Sequence, residues 1–462
     1  MSLLIVSLDV SIVNVALPSI RAALGASVRG LQWTIDAYTL VLAVLLLFSG
    51  SMADRFGRRR VFQLGLLLFT LGSLLCSVAP SLGWLVVFRM VQAVGGSMLN
   101  PVAMSIIVNT FTDPQERARA IGFWGAVVGV SLALGPVVGG VLVTGVGWRS
   151  IFWINVPIGL AAILLTRLFV PESRAERPRR FDPAAQLLIA VLLGSVISAL
   201  IEGAHWGWGS PVILGLALLA VLAGVLLVLV ESRRREPLLD LRFFRSAPFA
   251  GATLAAVASF AALSGFLFLN ALYLQDVRGL SALHAGLLTL PMAAMTALCA
   301  PVSGRLVAAR GPRLPLLAAG GAITVGALLL IGLTPDTPML QLVASYGVIG
   351  FGFGMVNAPV SNTAVSGMPR AQAGVAAAVA STSRQVGAAL GVAIVGALIA
   401  GGGTRSAFTT DSHAAWGVIA GCGLLVLVIG FVSTSHWAAG TAAASRHLLE
   451  QKEGVDGQAV AR

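Results

Sequence analysis

Long apolar runs alternate with short polar joints along the whole chain, a pattern that predicts membrane-crossing helices. The runs lie near 1–18, 33–53, 61–79, 83–107, 118–143, 150–170, 184–203, 211–231, 249–273, 286–308, 314–333, 338–362, 372–399 and 414–436. Each comes close to or passes the ~20 residues that a helix needs to cross the hydrocarbon of a bilayer. The expected fold class is an all-α membrane protein with 14 transmembrane helices.

An internal repeat orders these elements. Gly304 and Gly311 repeat the spacing of Gly50 and Gly57, and Gly95, Met98 and Asn100 recur as Gly352, Met355 and Asn357. Repeated halves around a midplane site are the architecture of secondary transporters. The expected organisation is a six-helix half over 1–170, a basic, proline-bearing linker with two inserted helices over 171–248, a second six-helix half over 249–436, and a disordered tail over 437–462. The halves differ chemically, since Asp54 aligns with Ala308 and Arg89 with Tyr346, which places energy coupling in the first half.

Composition agrees with a lipid solvent. The 462 residues are 57% hydrophobic and 10% charged, far from the ~25% charged residues of a soluble domain. A net charge of +12 would point to nucleic acid in a soluble protein, but here the arginines fall in loops, so membrane topology accounts for them and no nucleic acid is expected. Arg55, Arg58, Arg59 and Arg60 share one joint, and most other basic residues fall on the same side when both termini are cytoplasmic. Met1 opens directly into the first run, so the start of the chain is expected to be truncated, and Asp9 argues against a cleaved signal peptide. Cys76, Cys299 and Cys422 sit inside apolar runs at no metal-ligand spacing, and no metal, cofactor or catalytic constellation is expected. The histidines stand singly near span ends, and Trp206 and Trp208 fit an interfacial belt.

The chemistry lies in the charges inside spans, each of which is costly unless it is paired or faces water. Asp9 falls about mid-span, Asp36 shares a helix face with Trp33 and Leu40, Arg89 lies in the fourth run, and Arg384 lies in the thirteenth. A carboxylate beside an aromatic ring suits a lipophilic cation. Asp36 could also be an outer-end residue touching water. A buried arginine keeps its charge, so Arg89 is expected to pair with a titrating carboxylate, Asp9 being the candidate; the alternative is a structural arginine on backbone carbonyls.

Four motifs resemble one family. Gly50-Ser51-Met52-Ala53-Asp54-Arg55-Phe56-Gly57-Arg58-Arg59 resembles the loop between the second and third spans of the major facilitator superfamily. Leu8-Asp9-Val10-Ser11-Ile12-Val13-Asn14 and the stretch around Arg89 resemble its first- and fourth-helix motifs, and Gly135-Pro136-Val137-Val138-Gly139-Gly140 resembles the motif typical of its exporters. With the span count, the chain is similar to the fourteen-span drug:proton antiporters, among them quaternary-ammonium and methylenomycin-type resistance exporters. That resemblance implies a monomer in the plasma membrane, driven by protons without a cofactor, that exports hydrophobic or cationic small molecules. It implies proton coupling at Asp9 and Arg89. Substrate contacts fall to Asp36, Trp33, Tyr38 and Asn14. Gly50, Asp54, Arg55, Gly57, Arg58 and Arg59 form a conformational switch, and Gly129, Gly135, Pro136, Gly139 and Gly140 form the exporter motif, for which plain helix packing is the other reading. Arg384, which either faces the cavity or snorkels to the inner surface, and Glu202 and Asp276 near the outer surface are further candidates. Export of a self-made metabolite, lipid or siderophore keeps the same fold, and a membrane sensor or enzyme is the remote alternative.

Overall fold

The computed structural model describes residues 2–111, 113–175, 182–234, 240–366, 368, 372–400 and 405–447. Every regular element among them is helical. The helices are α1 (Ser2–Leu24), α2 (Val28–Phe56), α3 (Arg58–Ser77), α4 (Leu82–Thr110), α5 (Pro114–Gly145), α6 (Ser150–Trp153), α7 (Asn155–Phe169), α8 (Pro183–Trp206), α9 (Pro211–Arg233), α10 (Ala247–Leu272), α11 (Ala282–Leu288), α12 (Leu290–Arg310), α13 (Arg313–Leu328), α14 (Met339–Val365), α15 (Ala373–Ile399) and α16 (Arg405–Ser433).

Twelve stretches, α6–α7 and α11–α12 each counting as one, are long and apolar enough to cross a membrane; the described part of α5 and all of α13 are apolar but shorter. Local chemistry places the boundaries. Asp113, Asp182 and Ser210 accept backbone N–H bonds at the starts of α5, α8 and α9, each just before a proline at the first helical position. Gly57 breaks α2 from α3 at φ 108°, a backbone angle that L side chains rarely adopt.

Helices α1–α7 pack among themselves, as do α10–α16, and the repeated glycines sit alike in the two groups. Gly95 of α4 meets Phe69 of α3, and Gly352 of α14 meets Ile323 of α13, so no side chain fits at either crossing. The groups join through α2 with α15, α5 with α11 and α12, and α1 with α10, while α8 pairs with α9 and lies against both α2 and α15. The contacts joining the groups gather at the end carrying the α1–α2 turn: Arg21 to Asp276 (3.1 Å), Gln275 to the Val15 carbonyl (2.9 Å) and Gln32 to the Ala393 carbonyl (3.0 Å).

One expectation needs correction. Residues 437–447, expected to be disordered, belong to a helix over 436–447. Its alanine-rich sequence favours helix, Ala438 and Ser445 are buried, and Thr441 accepts a 3.0 Å bond from the Ala247 amide at the start of α10. Residues 448–462 lie outside the described residues.

Candidate functional site

Five elements of the first group converge on one buried polar cluster. Asp9 enters from α1 and Arg89 from α4, both 1% exposed. Arg89 Nη1 donates to Asp9 Oδ2 (2.5 Å) and Gln92 Oε1 (2.6 Å), and its Nε donates to the Thr34 carbonyl of α2 (3.3 Å). The other Asp9 oxygen accepts from Gln92 Nε2 (2.8 Å) and Asn155 Nδ2 (3.1 Å), and Gln92 also donates to Ser73 of α3 (2.8 Å). The guanidinium carbon lies 4.1 Å from the Tyr38 ring centre and 5.8 Å from that of Phe152. Charge, hydrogen bonds and cation–π attraction thus hold a pair whose desolvation would otherwise be prohibitive.

This arrangement has a chemical consequence. Arg89 cannot surrender its proton, so a proton arriving here binds Asp9. Protonation cancels the counter-charge of Arg89 and turns one acceptor oxygen into a donor. A proton on Oδ2 would displace the Arg89 bond, and one on Oδ1 the Gln92 and Asn155 bonds.

Tyr38, expected at substrate, packs under Arg89. Asp36 is fully buried, and neither of its oxygens has a hydrogen-bond partner among the described residues; the neighbouring Thr39 hydroxyl donates instead to the Ile35 and Asp36 carbonyls. Trp33 turns toward α8, where Glu202 accepts both its ring N–H (2.9 Å) and Arg29 of α2 (3.0 Å). Trp33 and Leu40 pack with Ile197, Ile201, Ala389 and Ala393, which ties the α2–α15 seam to the inserted pair. Asn14 donates to the Val10 carbonyl and leaves its own oxygen unpaired.

The Gly50–Arg59 segment closes on itself and on the residues after α7. Arg58 bonds Asp54 (3.0 Å), the Arg59 amide donates to Glu172 (3.1 Å), Arg59 Nη1 reaches the Val170 carbonyl (3.3 Å), and Ala175 donates to the Asp54 carbonyl (3.2 Å). Arg55 stacks near Phe56, and Gly50 stands in open space. A Cβ on Gly57 would lie 2.6 Å from Glu172.

The small face of α5 is a packing surface on two sides. A Cβ on Gly135 would fall 1.8 Å from Ser11 Oγ, and Gly139 touches Ile12 of α1. On the other side a Cβ on Gly140 would lie 2.6 Å from the Leu283 backbone, and one on Gly286 of α11 would lie 2.2 Å from the Pro136 carbonyl. The surroundings of Gly129 lie outside the described residues. Asp276 sits in a π-helical turn after α10 and pairs with Arg21 across the groups. Arg384 of α15 bonds Ser381 (2.7 Å) and lies 3.5 Å from Ser361.

Sequence reasoning missed Gln92, Asn155, Ser73 and Glu172. Gln92 carried a signal, standing three residues after Arg89 on the same helix face; the contacts of Asn155 and Glu172 are long-range, and neither lies beside a motif. Cys76 and Cys299 are buried, Cys422 is half-buried, and no group of residues among those described has the make-up of a metal site.

A bundle of long apolar helices with an ion pair buried in one group and a seam of glycines between groups is the architecture of a membrane transporter. Residues 1–392 match the Major Facilitator Superfamily, and the chain belongs to that family. It is 37% identical to the multidrug resistance protein Stp of Mycobacterium tuberculosis (strain CDC 1551 / Oshkosh) over 400 residues, covering 87% of this chain and 74% of that one. It is also 37% identical to the tetracenomycin C resistance and export protein of Streptomyces glaucescens, covering 86% of this chain and 74% of that one. A crystal structure of a D-xylose-proton symporter shares the fold, with a TM-score of 0.68 over 93% of this chain and 95% of that one at 14% identity. The protein is a multi-pass integral membrane transporter.

Proposed function

We propose that the chain exports hydrophobic, cationic drugs or antibiotics across the plasma membrane in exchange for protons, by alternating access between two six-helix halves. The observation that carries this is the Asp9–Arg89 pair, buried and bridged by Gln92 and Asn155. The relatives are named for drug resistance and export, which supports the direction and the substrate class.

In this reading α5 and α13 also cross, giving 14 spans as two halves, 1–170 and 249–436, with α8 and α9 inserted from the 171–248 linker. Both termini and the arginine-rich Gly50–Arg59 loop are cytoplasmic, so the joined end faces outward. Asp9 takes a proton from the outside. Its protonation loosens Arg89 and the packing of α1 on α4, and proton entry under a potential of ~100 mV supplies about 2.3 kcal/mol per charge toward the cycle. Asp36, buried without a partner on α2, offers a counter-charge to a cationic substrate once the seam opens. Asp54, Arg58 and Glu172 latch the cytoplasmic ends of α2 and α3 to the linker. The monomer suffices, and protons are the only co-substrate.

Ethidium movement in energised inside-out vesicles tests this. Uptake against a gradient that collapses on adding a proton uncoupler is expected, and uptake indifferent to the uncoupler would overturn proton exchange.

A further inference from the structure

The second half carries a charge that the export of cations leaves unused. Arg384 stands on α15 with no carboxylate partner among the described residues, in contrast to Arg89, which has Asp9. Its partners are the Ser381 hydroxyl at 2.7 Å and the Ser361 hydroxyl of α14 at 3.5 Å, with the Phe260 ring of α10 centred 5.9 Å from the guanidinium carbon. Two neutral hydroxyls cannot balance a cation that has five N–H donors, and an unbalanced charge inside a span must face water or a ligand.

The surroundings favour a ligand reached through water. Ser361 is exposed, and so is Asn357 one turn earlier on α14, so this helix turns a polar, accessible face toward the arginine. A polar exposed face within an apolar span lines a cavity rather than lipid. Among the acidic residues described, Asp276 lies in the π-helical turn after α10 and already pairs with Arg21, Asp336 lies in the turn between α13 and α14, and Asp411 lies in the second turn of α16.

The geometry points to a second subsite in the transport cavity, in which Arg384, supported by Ser381 and Ser361, binds the acidic group of a substrate while Phe260 meets its aromatic body. A carboxylate, enolate or phenolate supplies the missing charge and can accept two parallel N–H bonds from the planar guanidinium. The subsite deepens the export reading by adding aromatic acids and zwitterions to its substrates, with the acid held on the second half and a cationic group on Asp36 of the first.

Binding to the purified full chain in lipid nanodiscs tests this without requiring transport. Fluorescence anisotropy would follow fluorescein, an aromatic anion, and ethidium, an aromatic cation. The wild type is expected to bind both. Arg384→Gln should weaken fluorescein by about tenfold or more, the loss expected of a charge-assisted contact, with ethidium unchanged, and Arg384→Lys should recover part of the loss. Wild-type protein that does not bind fluorescein, an Arg384→Gln variant that binds it normally, or a variant that loses both dyes together would each overturn the subsite. Failure of energised ethidium export would instead count against the export reading and leave this result standing.

Discussion

At Asp9, removing the charge and removing the partner both unbalance a buried pair. Asparagine keeps the size of the side chain and an oxygen that can accept from Arg89. In Asp9→Asn, uphill efflux of every substrate should be lost because an amide cannot carry the proton. Arg89→Ala leaves a buried carboxylate without its counter-charge, and breaking such a pair costs about 3–5 kcal/mol. Asp9→Asn likewise leaves the buried Arg89 guanidinium, which cannot give up its proton, without a counter-charge, so melting in detergent should fall in both variants. Ethidium binding kept by folded Asp9→Asn protein with uphill efflux lost would mark coupling, and loss of binding together with efflux would make the cluster structural. Asp36 predicts a different pattern, because it bonds nothing in this state. Asp36→Asn should weaken efflux of ethidium and spare a neutral drug, and equal loss of both substrates would end that division of labour. Asp9 and Arg89 were legible in the sequence because charges inside apolar runs are rare and costly. Asn155 was not, because a neutral amide in a span is ordinary until a fold sets it 3.1 Å from a carboxylate. The expected pairing of Trp33 with Asp36 on one helix face also missed its competitor, since Glu202 arrives from a distant segment and takes the indole N–H.

At the scale of elements, the Gly50–Arg59 loop shows what a motif does and does not reveal. Its charges marked the turn between α2 and α3, but nothing local announced that Glu172 and the backbone of 170–175 would receive it. The latch is built largely from backbone bonds around two side-chain pairs, Asp54 with Arg58 at 3.0 Å and Arg60 with Glu172 at 3.6 Å. In the Asp54–Arg58 pair Arg58 is 9% and Asp54 28% exposed, so its loss should cost more than the ~1 kcal/mol of a surface pair and less than the ~3–5 kcal/mol of a fully buried one, too little to unfold the protein and enough to change how long the latch stays shut. Asp54→Asn should thus express and bind ethidium normally yet turn over slowly, as read by vesicle uptake against binding. Normal turnover at normal expression would contradict a switching role. The 436–447 helix is the opposite case: alanine-rich sequence read as tail becomes ordered because it can dock, through Thr441, on the first turn of α10.

For the whole molecule, the sequence repeat and apolar runs predict two helical groups and an inserted pair, while the state in which the groups meet depends on contacts no pattern encodes. Two kinds of contact close the joined end, and their magnitudes rank them. The Arg21–Asp276 pair is about two-fifths and one-third exposed on its two sides, at 40% and 34%, so it contributes ~0.2–1 kcal/mol. The α5–α11 crossing is backbone against backbone at Gly140 and Gly286, where an added methyl group meets immovable atoms and overpacking costs about 1–3 kcal/mol. Closure should accordingly depend more on the glycines than on the ion pair. Spin labels on cysteines placed at Ala22 and His284, on opposite groups near this end, would report the separation by double electron–electron resonance. Gly140→Ala should populate longer distances strongly and Asp276→Asn only slightly, while both variants still bind ethidium. The reverse order would make the ion pair the gate, and unchanged distances in Gly140→Ala would mean that the glycine face of α5 serves packing alone and takes no part in opening.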